Sequence, residues 1–405
     1  MHDGFPTREA PLLEDRLAVI AQDTHRAWNA RSLTLNLSGV SSLVFDNSST
    51  APGDNWIFEL DSITFIAAQV DLSLALDLRG ITLGVLETAT RDVNGRLFRL
   101  RMRSDESDPA ESPAGKDIVN VGADGKQSVS AKQAEPSRLQ FFAQGDFSTT
   151  DQHSSDNISG FGGQTEAGTV GLEYALSREI ILGVAVGYVH NYTNLNNYTD
   201  TVNIDGLVAS TYASWFIDNF YLDGLYSFSY LENDLRSSAG NQVATAQPAT
   251  FGNTLELNAG YNFVRPWVVT GPIASLNYTH GDIDDFSDSN GASVQSQNFN
   301  SLISQLGWQA SFPRTTHQGM LTRVTPQLHA AWAHEYMNNS ESVSANYNGF
   351  TTTGYTPQPE RDYATVGAGI MAEFGKDFSV TLDYQIDVGT LQVTNFVSAR
   401  GEIKF

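Results

Sequence analysis

The residues best suited to chemistry gather at His280, Asp282, Asp284, Asp285 and Asp288, in the stretch HGDIDDFSD. A histidine beside carboxylates can activate water for peptide hydrolysis, and carboxylates on one loop can hold a divalent cation. The spacing lacks the glycine and terminal glutamate of a calcium loop. A solvated acidic loop is the simpler account, because charge runs usually just solvate. His334-Glu335 is a second candidate pair, but no second histidine follows at metal spacing. No Gly-x-Ser-x-Gly elbow occurs. The sequence therefore assigns no catalytic residue, no cofactor and no metal site, and the chain is not expected to be an enzyme.

The carboxyl terminus shows what kind of element carries these residues. In Leu391–Phe405, LQVTNFVSARGEIKF, the odd positions are almost wholly apolar and the even ones almost wholly polar. Successive side chains of a strand point to opposite faces, so this reads as a strand with one greasy and one wet face. A soluble sandwich strand shows the same alternation. Its length and its terminal aromatic favour a membrane strand, which needs about 9–11 residues to cross. Asp377–Val388 repeats the pattern without a break, with Asp377, Asp383 and Asp387 on one face. Three acids on one face are costly against a dry core and cheap against a hydrated barrel lumen.

Composition agrees. The 405 residues carry a net charge of −23, which argues against nucleic acid as a partner. There is no cysteine, which neither proves nor excludes export. No run of eighteen apolar residues exists, which excludes a transmembrane helix but not a barrel, whose apolar residues alternate. The opening MHDGFPTREAPLLEDR lacks a basic region followed by an apolar one, so it does not read as a signal peptide. The expectation is a processed or mis-started piece whose export signal comes from elsewhere.

Residues 1–103 read as a small β-rich unit behind a helix at Pro11–Ala30. Short apolar runs, among them WIFELDSITFIAAQV, LSLALDLRGITLGVLE and RLFRLRMR, suggest coils of a β-solenoid or a small sandwich. Asn94-Gly95 reads as a two-residue hairpin turn. Residues 104–136 are polar, with three prolines, and read as a linker, with a short helix possible at Ser128–Ala134.

From Arg138 onward the pattern predicts twelve strands: Arg138–Thr149, Gln164–Leu176, Glu179–Asn194, Thr201–Phe216, Phe220–Asp234, Thr250–Val264, Trp267–Gly281, Val294–Phe312, Met320–Met337, Glu360–Phe374, Asp377–Gly389 and Leu391–Phe405. Their connections alternate short and long until the last pair. That is the signature of an up-and-down outer-membrane barrel with short periplasmic turns, long external loops and both barrel ends on the periplasmic side. Glu173, Asp223, Glu256, Glu373, Asp383, Asp387 and Arg400 are the lumen-facing candidates, with Asp146 and Asp205 beside them. Trp215, Phe220, Trp267, Phe312, Phe374 and Phe378 gather near the short turns and fit an interfacial aromatic girdle.

Three stretches carry a resemblance. GTVGLEYALSREIILGVAVGY within Gln164–Tyr188, VTPQLHAAWAHEY at Val324–Tyr336, and YATVGAGIMAEFGKDFSVTLDYQIDVG at Tyr363–Gly389, together with the terminal aromatic strand, resemble the autotransporter (type V secretion) β-domain over about Leu139 to Phe405. The resemblance implies an all-β, twelve-stranded antiparallel transmembrane barrel (137–405), threaded by the linker (104–136) that follows a solenoid-like passenger remnant (1–103). It implies that Val397, Ala399, Gly401, Ile403 and Phe405 form a signal read by the barrel-assembly machinery. The paired-asparagine motif of self-cleaving members is missing from the linker, so cleavage is not expected. The Gly-Asp-Ser-Leu block of the esterase type is missing too. The expected function is an outer-membrane translocator that exports or displays its own passenger at the surface of a Gram-negative cell. Outer-membrane lipid, the assembly machinery, the passenger and the linker are its partners, and the barrel is expected to be monomeric. The alternative is a channel or adhesin barrel with a periplasmic amino-terminal domain.

Overall fold

The alternating segments close into a cylinder. The computed structural model describes residues 72–102 and 138–405, apart from 155–159, 197–198, 240–241 and 376, with the backbone alone at 92, 94, 96, 98–102, 239, 242, 317 and 318. Twelve long strands make the wall. They are β1 (Leu139–Gln152), β2 (Phe161–Ala175), β3 (Ile180–Leu195), β4 (Thr201–Ile217), β5 (Phe220–Ala239), β6 (Ala249–Tyr261), β7 (Val268–Ile283), β8 (Gln297–Ser311), β9 (Leu321–Glu335), β10 (Asp362–Phe374), β11 (Phe378–Val388) and β12 (Gln392–Lys404). Each pairs antiparallel with its neighbour in sequence. β12 returns to β1, with Gln140 opposite Lys404 and Gln152 opposite Gln392, so the wall has no free edge. The expected strand order is the observed one, and the boundaries differ by only a few residues.

Side chains alternate across the wall. In β3, Leu182, Val184, Val186 and Tyr188 are exposed on the outside, while Ala185 and Val189 are buried inside. At one end the connections are tight. Asp218 and Asn219 alone join Ile217 to its paired Phe220, with Asp218 at φ 52°. At the other end the strands run on into the loops. β5 folds back through Gln242–Ala246. Phe286–Ser287, Ser293–Val294, Ser342–Tyr347 and Phe350–Tyr355 form a separate four-stranded sheet. The last two make a hairpin whose turn is Asn348-Gly349, at φ 51° and 83°. A two-residue hairpin turn needs this left-handed geometry, and Asn-Gly tolerates it. This hairpin lies within Asn338–Pro359, one of the long connections expected on the external side.

The amino-terminal side differs from expectation in kind. Ser73–Met102 is one α-helix, α1, where the sequence suggested short strands and a hairpin at Asn94-Gly95. The physical reason is burial over most of its surface. Leu72, Leu74, Leu76 and Leu78 repeat every second residue, which mimics a strand. Leu74, Leu78, Ile81, Val85, Leu86, Ala89, Val93 and Leu97 also fall three or four apart, and these pack the helix. The helix at Pro11–Ala30, the rest of the expected β-rich unit, the 104–136 linker and the short helix at Ser128–Ala134 lie outside the described residues.

Candidate functional site: the occupied lumen

At ~1.5 Å per residue, thirty helical residues span about 45 Å, enough to run the length of a barrel. Among the described residues no helix is long and apolar enough to cross a membrane. α1 carries Asp77, Arg79, Glu87 and Arg91, and it lies inside the wall.

Its apolar stripe sets its position. Leu78, Ile81, Val85, Leu86 and Ala89 join one core with Phe161, Val189, Ile204, Leu231, Ile283 and Phe299 of β2 to β8. Further along, Val93 and Leu97 join Phe142, Tyr212 and Leu225. At its start, Leu72 and Ala75 meet Val294, Val343 and Ala345 of the loop sheet. The fit is close at Gly252 of β6, where a Cβ would stand 2.7 Å from Leu86 Cδ2.

Polar contacts fix the register. Ser73 Oγ donates to Asp200 Oδ2 at 3.0 Å, and Gln297 Nε2 donates to the Ala75 carbonyl at 3.1 Å. Arg79 pairs with Glu341 at 3.4 Å. Thr88 Oγ1 and Ser148 Oγ lie 3.4 Å apart. The Arg91 guanidinium sits 3.7 Å from the centre of the Phe396 ring and donates to Asp387 at 2.9 Å. Arg400 of β12 donates to the Gly95 carbonyl at 2.8 Å and, from Nε, to Gln144 of β1. One buried guanidinium therefore ties the last strand, the first strand and the helix together.

These contacts give α1 a direction. Ser73 and Arg79 meet residues of the long loops, Asp200 and Glu341. Gly95 meets Arg400, on the strand that ends at Lys404 beside the start of β1. The helix enters at the long-loop mouth and runs toward the short-turn mouth.

Contacts of this kind can be trapped covalently. Thr88→Cys with Ser148→Cys is expected to form a disulfide that shifts mobility on a non-reducing gel, and the chain has no other cysteine to interfere. The Thr88→Cys single variant paired with Cys on an outward position such as Val186 should give none.

The candidate residues fall on both faces. Glu173, Asp223, Glu256 and Arg400 are buried in the interior. Glu173 accepts from the Tyr212 hydroxyl at 2.8 Å, and Glu256 accepts from Asn277 at 3.2 Å. Glu373 lies 3.5 Å from Arg323, and Asp383 lies 4.0 Å from Arg400. Asp205 is a correction, because it is on the outer face. The odd positions of β4 point out, and its even positions Val202, Ile204 and Val208 are the apolar ones turned in against the helix. Of the aromatic candidates, Trp215, Phe220, Trp267 and Phe378 are exposed; Phe312 and Phe374 are half-buried, with Phe374 5.8 Å from Phe378. Val397, Ile403 and Phe405 are exposed on the outer face of β12.

Three histidines, His190, His280 and His334, form pairs on the outer wall near the long-loop end. Asp205 accepts from the Tyr188 hydroxyl and lies 2.8 Å from His190. His280 sits 3.0 Å from Asp282 and 3.0 Å from Asn300, which also accepts from Tyr278. Asp362 sits 2.8 Å from His334 and accepts from Trp332 at 3.1 Å. Each of these histidines follows an aromatic residue two positions earlier, Tyr188, Tyr278 or Trp332. Asp288 is used locally, accepting the Asn290 and Ala292 amides. Among the described residues no three histidine or acidic groups converge as a metal site. Glu335 faces inward, opposite to His334, and accepts from Ser301 and the Leu302, Met337 and Asn338 amides. Asp77, Arg79, Glu87 and Arg91 escaped the sequence reading, although charges interrupting an apolar run were a signal of their buried setting.

The family model for the autotransporter β-domain matches residues 141–385. The chain belongs to the autotransporter β-domain family. Solved autotransporter domains share its fold. The translocator domain of NalP from Neisseria meningitidis gives a TM-score of 0.55 at 15% identity, covering 67% of this chain and 90% of that one. The β-domain of the Bordetella autotransporter BrkA gives 0.54 at 18% identity, covering 66% and 100%. Outer membrane protein B of Rickettsia prowazekii is 25% identical over 401 residues, 89% of this chain and 23% of the relative. Outer membrane protein A of Rickettsia rickettsii is 24% identical over 277 residues, 62% and 12%. The chain thus spans about a quarter or less of the length of these curated relatives. The autotransporter barrel is an outer-membrane translocator domain, and its exposed apolar wall fits that lipid setting.

Proposed function

We propose that this autotransporter barrel carries the polypeptide preceding α1 to the cell surface and holds it there. The observation that supports this reading is the direction of the helix. α1 begins at the long-loop mouth, at Ser73, and both barrel ends lie at the short-turn mouth. In an outer-membrane barrel the long loops face outward. A single pass of the chain then leads from the periplasm to the surface, and α1 is the part left in the conduit. The work is mechanical rather than catalytic. Interior polar groups such as Glu173, Glu256 and Asp383 offer a hydrated path, and folding outside opposes return. Val397, Ala399, Gly401, Ile403 and Phe405 present an outward apolar strand end for the assembly machinery, Trp215, Phe220, Trp267 and Phe378 anchor the wall in lipid, and the closed barrel works as a monomer. A channel with a periplasmic amino terminus would need α1 to begin at the other mouth.

The test is topology. With a signal peptide and an epitope tag placed near Asp3, intact cells are probed with antibody and protease. Surface labelling without permeabilisation is the expected result. A tag reached only after the outer membrane is opened would leave a barrel with a periplasmic domain and end the export reading.

A further inference from the structure

The apolar stripe of α1 faces β2 to β8, and the opposite face of the helix is loosely covered. Down it run Asp77, Gly80, Gly84, Glu87, Arg91 and Gly95, three or four residues apart. Gly80 and Gly84 have nothing within 4 Å of the place a Cβ would take. Asp77, Gly80, Gly84 and Glu87 border a cavity of about 140 Å³ that reaches His153 and Glu360 at the long-loop mouth. A second cavity, of about 190 Å³, is bordered by Glu87, Arg91 and Gly95 and by Asp146, Glu256 and Asp383 of the wall. Both touch Glu87, Ile303, Tyr363 and Phe396. Each has room for several waters and the polar partners to hold them. Asp77 is 1% exposed, and neither of its carboxylate oxygens has a hydrogen-bond partner in the protein. A buried carboxylate in that state must be served from the cavity it borders.

We propose that the two cavities join, where both meet Glu87, Ile303, Tyr363 and Phe396, into a hydrated path that conducts monovalent cations past the seated helix. Carboxylates outnumber cationic side chains along it: Asp77, Glu87, Asp146, Glu256, Glu335, Glu360, Asp383 and Asp387 against Arg79 and Arg91. A low-dielectric wall focuses that negative field, so potassium enters and chloride does not. The path needs only the seated helix and stands whether or not the preceding segment is exported.

The experiment is electrical. The whole chain, carrying the Thr88→Cys/Ser148→Cys cross-link to hold the helix in place, is inserted into planar bilayers under a KCl gradient. The expected result is a small, steady conductance with a potassium-selective reversal potential. Gly84→Trp puts an indole into the open cavity and should lower that conductance by about tenfold. Asp77→Asn with Glu87→Gln should move the reversal potential toward zero, and this pair decides the matter if the tryptophan variant does not insert. A cross-linked barrel that conducts no more than bare bilayer, or prefers chloride, overturns the proposal. So does a conductance that both sets of substitutions leave unchanged.

Discussion

Excision of Ser73–Met102 is expected to raise single-channel conductance by at least about tenfold, because a helix with its side chains is ~10–12 Å across and leaves only narrow cavities beside it. The deletion does more than open a hole. Phe161, Val189, Ile204, Leu231, Ile283 and Phe299 are buried in one cluster with α1. Each large apolar side chain returned to water costs about 1.5–3 kcal/mol, so the emptied barrel should also unfold at markedly lower urea in detergent. A peptide of residues 69–102 added to the open pore should close it and restore stability. An emptied barrel with the conductance and urea midpoint of the intact chain would show that the helix neither plugs nor supports the wall.

Arg400→Ala is expected to cost about 3–5 kcal/mol, the range for removing one partner of a buried charged network. Arg400 is 2% exposed, on the strand that closes the barrel. It reaches Gly95 and Gln144, and it lies 4.0 Å from Asp383 and 3.9 Å from Glu402. Its removal leaves two inward acids without their nearest guanidinium and unpins the helix from the seam. Arg400→Lys keeps the charge but cannot bridge Gln144 and Gly95 together, so it should fall between. The measurement is the urea midpoint alongside the yield of the Thr88–Ser148 cross-link. A change smaller than about 0.5 kcal/mol, typical of exposed positions, would mean that this guanidinium holds nothing together.

The barrel was legible because its two signals are local and repeated. Outward positions such as Leu182, Val184 and Val186 alternate with small inward ones, and tight turns such as Asp218-Asn219 alternate with long loops. The helix was not legible, because it is buried on most of its surface and glycines at 80, 84 and 95 break up the one face that carries Asp77, Glu87 and Arg91. Its β-branched Ile81, Thr82, Val85, Thr88, Thr90 and Val93 add strand character. Asn-Gly shows how context decides. At 348–349 it turns a hairpin, with both residues left-handed. At 94–95 the same dipeptide sits inside a helix, where a Cβ on Gly95 would stand 2.7 Å from Arg400 Nη2, so the glycine serves packing instead of turning. Asp205 was misplaced for a related reason. A lumen was assumed to be wet throughout, yet near the helix the wall is apolar inside, and the acid is on the outer face with Tyr188 and His190.

The histidine–acid pairs and the outward aromatics bracket the wall. From Asp205 to Trp215 on β4 the strand rises about 33 Å at ~3.3 Å per residue. A tilt of ~40° leaves a band about 25 Å tall, thinner than the ~30 Å core of an average bilayer. A hydrogen-bonded cylinder cannot stretch to match thicker lipid, so the lipid must thin around it, at a fraction of a kcal/mol for each ångström of mismatch. The barrel therefore partitions by membrane thickness, and the lipid it is placed in bears the strain.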